Sequence, residues 1–259
     1  ERRDALFGGR LPAPNLKTLA GLTNYVEEHG CDIGIATDGD ADRLGVIDDK
    51  AEFLHPNKIL VLLYYYLMRY RGWRGAAVRN LATTHLLDRI AEDFGETCYE
   101  VPVGFKYVSA KMVETGAIIG GESSGGLTVR GHIQGKDGIY AAALLVEAIA
   151  KTGRRLSALW DEITQKYGAA EMAEHDFHFS SAERTRIFKL LMEDKQLPEF
   201  PCEIAKVSYM DGCKVYLKNG GWVSARFSGT EPLLRIFCEM QTEHEAVLLC
   251  EVFEKFLGL

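Results

Sequence analysis

The sequence predicts an α/β fold: a mixed, mainly parallel βαβ sheet domain, followed by a smaller α+β domain with an antiparallel sheet. Two patterns point there. Between Pro56 and about residue 168, short apolar runs alternate with stretches of helical period, as strands do when crossover helices join them into a parallel sheet. Beyond Ala170, four strand-like runs follow one another with helices only at the flanks, which is the α+β arrangement. This change of style places a domain boundary at 168–172, and 259 residues are enough for about two domains of ordinary size.

The elements follow in order. After the proline-rich "LPAP", Asn15 is a candidate N-cap, Leu16, Leu19, Leu22 and Val26 keep helical spacing, and Gly30 ends the helix. "CDIGIA" and "RLGVID" are short strands on either side of an acidic loop. Helices are expected at 57–71, 84–94, 105–115, 137–151 and over "RLSALWDEITQKYG". Strands are expected at "GAAVRN", "TCYEV" and "GAIIGG", the last running into a glycine-rich loop. In the second domain "AEHDFHFS" is a strand and 182–192 a helix. Strands at 203–209, 213–218, 222–227 and 233–240 follow, and a helix at 243–257 closes the chain. Ligands of open parallel sheets gather at loops leaving the carboxyl ends of strands, so the loop after "GAIIGG" is a place for a site.

Composition narrows the function classes. An apolar content of 47% supports buried cores, and 26% charged residues is ordinary for a soluble globular protein. The net charge is −7 and no block of like charges occurs, so no nucleic-acid partner is expected. The longest apolar run, 59–68, contains three tyrosines and is shorter than the ~18–20 residues that span a bilayer. It is expected to be a core helix with tyrosines 64–66 on a partly buried face, and no membrane partner is expected. The six cysteines, at 31, 98, 202, 213, 238 and 250, form no CxxC pair. They are expected to be scattered reduced thiols of a cytoplasmic protein, with neither a disulfide framework nor a zinc site.

The segment "ATDGDADRLGV" holds Asp38, Asp40 and Asp42 at alternate positions, with Arg43 next. Three carboxylates this close repel one another, and a divalent cation relieves the repulsion. An EF-hand needs Gly and Glu at its sixth and twelfth positions, where this chain has Arg43 and Asp49. Mg²⁺ takes a few carboxylates in an octahedral shell completed by waters and substrate phosphate, and the small Gly39 and Ala41 let the loop curl. Arg43 cannot ligate a metal but can grip a phosphate oxygen beside one. A solvated acidic turn is the plain alternative.

Two more polar loops follow strands. Residues 120–126, "GGESSGG", contain Gly-x-Ser-x-Gly, the nucleophile elbow of α/β-hydrolases, with Ser123 as nucleophile. That elbow needs a helix directly after the serine, whereas "GGLTVRGHIQG" is glycine-rich, and His175 and His178 lie beyond the domain boundary. The alternative use is sugar-hydroxyl binding by Glu122 and Ser124. Residues 226–232, "RFSGTEP", offer Arg226, the hydroxyls of Ser228 and Thr230, and the amides around Gly229: a compact oxyanion cradle, or else a tight hairpin turn. "GHIQGKD" is not a Walker A loop. Lys136 and Asp137 either pair locally or contact a substrate. His85 either points into the cleft or starts a helix, and Glu231 and Arg235 flank the cradle.

In this order and at these separations, the three loops resemble those of the α-D-phosphohexomutases, the family of phosphoglucomutases and phosphomannomutases. "DGDADR" is similar to their magnesium loop, "GGESSGG" to their sugar-binding loop and "RFSGTEP" to their phosphate-binding loop. "FGGRLPAPNL", "VGFKY" and "GKDGIYAA" also resemble family segments, so the resemblance runs over essentially the whole chain. It implies Mg²⁺ held by Asp38, Asp40 and Asp42, with Arg43 beside the transferred phosphate and Lys106, in "VGFKY", approaching the ligand as catalytic residues. It implies Glu122 and Ser124 on sugar hydroxyls, and Arg226, Ser228, Gly229 and Thr230 on the phosphate that is not reacting. The implied reaction interconverts a hexose 1-phosphate and a hexose 6-phosphate through a bisphosphate. The look of the sugar loop favours glucose 1-phosphate, glucose 6-phosphate and glucose 1,6-bisphosphate as ligands, although Glu-Ser-Ser departs from the commoner Glu-Glu-Ser. Residues 1–50 then correspond to the end of the family's second domain, 51–169 to the third and 170–259 to the fourth.

The family nucleophile is a phosphoserine in a motif like Thr-Ala-Ser-His-Asn-Pro. None of the nine serines of this chain is followed by His-Asn-Pro. The resemblance therefore implies a C-terminal fragment without the phosphoserine domain, inactive alone. Such a chain is either part of an intact mutase or a sugar-phosphate-binding fragment.

Overall fold

A computed structural model describes residues 3–9, 11–229 and 231–259. The chain divides into two compact units, Glu1–Tyr167 and Gly168–Leu259.

In the first unit, helix α1 (Ala20–His29) precedes a three-stranded antiparallel sheet of β1 (Gly34–Thr37), β2 (Leu44–Ile47) and β3 (Phe53–Leu54). The leucine spacing predicts a helix already at Leu16. Asn15 does cap, but it caps a turn: its Oδ1 accepts the N–H groups of Lys17 (3.0 Å) and Thr18 (3.1 Å), and the helix starts only after this turn. β1 and β2 pair from Gly34↔Ile47 to Thr37↔Leu44, so the acidic segment 38–43 is the loop of a hairpin.

The chain continues through α2 (Pro56–Arg69), β4 (Ala77–Asn80), α3 (Leu86–Asp93), β5 (Cys98–Val101), α4 (Phe105–Thr115), β6 (Ile119–Gly121) and β7 (Leu127–Val129). Helices α5 (Gly138–Thr152) and α6 (Leu156–Tyr167) complete the unit. The sheet order is β5-β4-β6-β7, with β5, β4 and β6 parallel and β7 antiparallel to β6. The mixed, mainly parallel sheet is the one the alternation predicts. β7 is not anticipated, because three residues inside a glycine-rich stretch carry no readable period.

Helices press on both faces of β6. A Cβ at Gly120 would overlap Met112 Sδ and stand 2.6 Å from Val108 Cγ1, both on α4. A Cβ at Gly121, on the opposite face, would stand 2.8 Å from Leu60 Cδ1 of α2. The two glycines thus allow the close double-sided cover that a parallel sheet requires. α2 is buried continuously from Ile59 to Met68. Tyrosines 64–66, expected on a partly buried face, are all buried. Their hydroxyls are satisfied, donating to Gly75 O (3.2 Å), Glu162 (2.7 Å) and Glu147 (2.6 Å) respectively. Among the described residues no helix is long and apolar enough to cross a membrane.

The second unit contains β8 (Glu171–His178), α7 (Ser181–Phe188), β9 (Ile204–Ser208), β10 (Cys213–Leu217), β11 (Trp222–Phe227), β12 (Leu233–Met240) and α8 (Glu243–Leu257). The five strands form one antiparallel sheet in the order β8-β12-β11-β10-β9. α8 packs Ala246, Leu249, Cys250, Phe253 and Leu257 into a core with Val215, Val223, Ile236 and Cys238. Thr242 and Glu245 form a capping box at its start. β11 and β12 pair from Trp222↔Glu239 to Phe227↔Leu234, which leaves Ser228, Gly229, Glu231 and Pro232 at the hairpin end. All six cysteines are free thiols.

Candidate functional site

Asp38, Asp40 and Asp42 each present a carboxylate oxygen, and these oxygens lie within 4.8 Å of one another. In an extended strand, alternate residues would stand about 6.6 Å apart. Here Ala41 adopts the left-handed region, φ 60°, and its N–H donates to Asp38 O at 3.3 Å. The loop curls, and the three side chains converge. Asp38 is buried, Asp42 half-buried and Asp40 exposed. Burial by itself would raise the Asp38 pKa. The Arg43 backbone N–H (3.1 Å) and Nε (2.7 Å) on its two oxygens outweigh that and hold the carboxyl below its ordinary value. Arg43 Nε also lies 3.5 Å from Asp42 Oδ1, and Lys136 Nζ lies 2.5 Å from Asp42 Oδ2. Three hard oxygens converging with one negative charge in excess are a donor set that fits Mg²⁺.

The acidic loop is fixed to the rest of the unit at two points. Arg43 and Gly126 form an isolated antiparallel bridge, which ties it to the turn after β6. Gly138, at the start of α5, donates its N–H to Ala41 O at 2.9 Å. A Cβ there would stand 2.8 Å from Arg43 O, so the helix end approaches the loop at glycine distance.

Glu122 is buried at that same turn. Its Oε1 accepts from Asn80 Nδ2 (3.0 Å) and from the Gly104 N–H (2.9 Å). Asn80 Oδ1 accepts in turn from Thr83 Oγ1 (2.8 Å), and the Ser123 N–H donates to Thr83 Oγ1 (3.1 Å). One carboxylate thereby connects the loops leaving the carboxyl ends of β4, β5 and β6, where open α/β sheets bind ligands. Ser124 is exposed at the tip of the turn. Lys106 is exposed in the first turn of α4, its Nζ 4.9 Å from the Tyr107 ring. Ser123 lacks the strand-to-helix junction of a nucleophile elbow, because β7 follows the turn and pairs back on β6. His175 is paired with Glu254 in the second unit. The missing strand-to-helix junction removes the hydrolase reading.

In the second unit Arg226 and Ser228 are half-buried at the hairpin end. Arg226 Nε donates to Asp211 Oδ2 at 2.8 Å. Ser228 Oγ accepts the Glu231 N–H at 3.3 Å, and Gly229 is exposed with open space around it. The hairpin brings Arg226, Ser228 and Gly229 together; Thr230 lies outside the described residues. Arg235 braces the loop, with Nη2 3.3 Å from Glu231, and also reaches Glu174 (3.4 Å) and Asp176 (3.6 Å).

Phosphoglucomutase/phosphomannomutase family models match the chain in three consecutive pieces. The alpha/beta/alpha domain II matches residues 1–51, the alpha/beta/alpha domain III residues 55–167 and the C-terminal domain residues 188–255. The chain belongs to the phosphoglucomutase/phosphomannomutase family. A phosphoglucomutase/phosphomannomutase of Thermococcus kodakarensis is 34% identical over 254 residues, covering 98% of this chain and 53% of that protein. A Thermococcus gammatolerans protein, named a probable phosphoglucosamine mutase, is 32% identical over 244 residues, covering 94% of this chain and 52% of its own length. The crystal structure of a phosphoglucomutase/phosphomannomutase family protein from Burkholderia thailandensis superimposes with a TM-score of 0.80 at 25% identity, covering 98% of this chain and 53% of that one. The chain spans about half the length of the curated relatives it matches.

In this phosphoglucomutase/phosphomannomutase family chain, several supporting residues escape sequence reasoning. Lys136 and Asp137 do not pair with each other. Lys136 reaches Asp42, while Asp137 lies 2.8 Å from His132 Nε2 and caps α5 through the Tyr140 N–H (2.8 Å). Asn80 and Thr83 anchor Glu122, and Asp211 orients Arg226. The signal for Lys136 lay in "GKDG", but its partner is remote in the chain. His85 stands at the N-cap of α3, 3.7 Å from the Glu100 carboxylate that Arg79 also meets.

Proposed function

We propose that the full-length protein is a Mg²⁺-dependent hexose phosphomutase that interconverts hexose 1-phosphate and hexose 6-phosphate, with glucose phosphates as its substrates. One observation carries the reading: three aspartate oxygens converge within 4.8 Å on a loop bridged to the turn that holds a buried glutamate. Asp38, Asp40 and Asp42 would hold the ion, which when bound neutralises charge on the phosphoryl oxygens during transfer. Arg43 commits Nε to Asp38, which leaves its Nη groups to grip the transferred phosphate. Lys106 adds a second positive group from the start of α4. Glu122 is anchored through Oε1, so Oε2 is the oxygen we assign to a sugar hydroxyl, with Ser124 beside it. Arg226, Ser228, the Gly229 amide and, by its place in the motif, Thr230 hold the phosphate that is not reacting. A bisphosphate carries one phosphate that reacts and one that does not, which accounts for an oxyanion loop in addition to the acidic loop.

No serine of this chain is followed by His-Asn-Pro, so we assign the phosphoryl-carrying serine to residues outside this sequence. We place the end of the family's second domain at 1–50, the third at 51–169 and the fourth at 170–259. The free thiols fit a cytoplasmic setting.

The test is an assay of the full-length protein with Mg²⁺ and glucose 1-phosphate, mannose 1-phosphate or glucosamine 1-phosphate. The highest kcat/KM is expected on glucose 1-phosphate. A clear preference for mannose or glucosamine overturns the substrate, and no isomerisation of any of the three overturns the mutase.

A further inference from the structure

Asp42 has no oxygen free of a cation. Oδ1 lies 3.5 Å from Arg43 Nε, and Oδ2 lies 2.5 Å from Lys136 Nζ. A metal that takes Asp42 through Oδ2 meets the Lys136 ammonium at the same oxygen, and two positive charges on one oxygen repel. Arg43 is the firmer of the two cations, because its Nε and backbone N–H both bind Asp38, at 2.7 and 3.1 Å. Lys136 carries a strongly hydrated ammonium on a flexible stem, the kind of cation that exchanges readily with water. That stem passes directly over Gly126, where a Cβ would overlap Lys136 Cδ, so the missing side chain leaves a track leading to Asp42.

The charges agree. Three carboxylates are balanced by Arg43 and one divalent cation. A retained Lys136 would place a further positive charge against an oxygen that the metal needs.

We propose that Lys136 is a built-in counter-ion of the acidic loop and is mutually exclusive with the divalent cation at Asp42. Cation binding releases the ammonium, and loss of the ammonium tightens cation binding. The inference rests on the reading of Asp38, Asp40 and Asp42 as the metal site.

Mn²⁺ titration of the 259-residue chain, followed by the electron paramagnetic resonance signal of the free ion, tests it. Lys136→Met is expected to bind Mn²⁺ about fivefold more tightly than the unaltered chain, the effect of removing one half-exposed ion pair. Asp40→Asn is expected to lose binding. As a second measurement, amine labelling of the unaltered chain read by mass spectrometry is expected to increase at Lys136 when Mg²⁺ is added. Equal or weaker Mn²⁺ binding by Lys136→Met, or Lys136 labelling indifferent to Mg²⁺, overturns the counter-ion while leaving the metal site standing. No Mn²⁺ binding by any of these chains overturns the metal site, and the competition with it.

Discussion

Burial would push the Asp38 carboxyl toward its neutral form, yet the Arg43 N–H and guanidinium hold it ionised and ready for a cation. Asp40 differs: it is exposed and belongs to no core. The two should therefore separate in substitution. Asp40→Asn is expected to abolish metal binding while leaving stability unchanged within about 0.5 kcal/mol. Asp38→Asn should cost about 1–3 kcal/mol as well, since it disturbs a buried, charge-assisted pair. Chemical denaturation set beside metal titration distinguishes them. His55 supplies a pH signature. Burial, with Lys58 nearby, lowers its pKa to about 4, and its Nδ1 accepts the Asn57 N–H (3.2 Å) at the start of α2. Between pH 6.5 and 4 the unfolded chain binds a proton that the folded chain refuses. This contribution is therefore absent above about pH 6.5, and stability falls as pH drops toward 4, by up to roughly 3 kcal/mol. Urea unfolding at pH 7.5, 6 and 5 should show the fall, and His55→Ala should flatten it.

At the scale of elements, long periodic segments were legible in the sequence. α4, β11, β12 and α8 lie at the residues their patterns predict. The misses have local causes. α1 begins late because the Asn15 side chain takes the N–H groups of a preceding turn. β7 is too short to show alternation, and its pairing to β6 is what makes "GGESSGG" a hairpin turn. The supports of the candidate site were unreadable for a different reason. Lys136–Asp42, Asn80–Glu122 and Asp211–Arg226 join residues that only the tertiary fold brings together. The acidic loop itself was legible, because its three carboxylates sit on one short hairpin. Its dependence on α5 yields a prediction. In Gly138→Ala the new methyl would meet Arg43 O at 2.8 Å and Ala41 O at 3.0 Å. Both are backbone atoms, so the loop must shift. The expected cost is about 1–3 kcal/mol, with weakened Mn²⁺ affinity. Unchanged metal affinity in this variant would show that the loop does not lean on the helix end.

For the whole molecule, the division into an α/β part and an antiparallel α+β part follows from the change in hydrophobic period, which is a property of many residues and survives individual misreadings. Each unit holds one part of the proposed chemistry: the acidic and sugar loops in the first, the phosphate hairpin in the second. Because no serine here carries the expected motif, the 259-residue chain is predicted to form no glucose 6-phosphate from glucose 1-phosphate beyond an Asp40→Ala control. Turnover above that control would place the phosphoryl carrier within this sequence. Beneath all of this lies the assignment of Asp38, Asp40 and Asp42 to a single cation. Crystals of the chain soaked in Mn²⁺ and measured at the manganese absorption edge test it directly. One anomalous peak bonded to oxygens of all three aspartates is expected; an absent peak, or one that omits Asp40 or Asp42, would contradict the assignment.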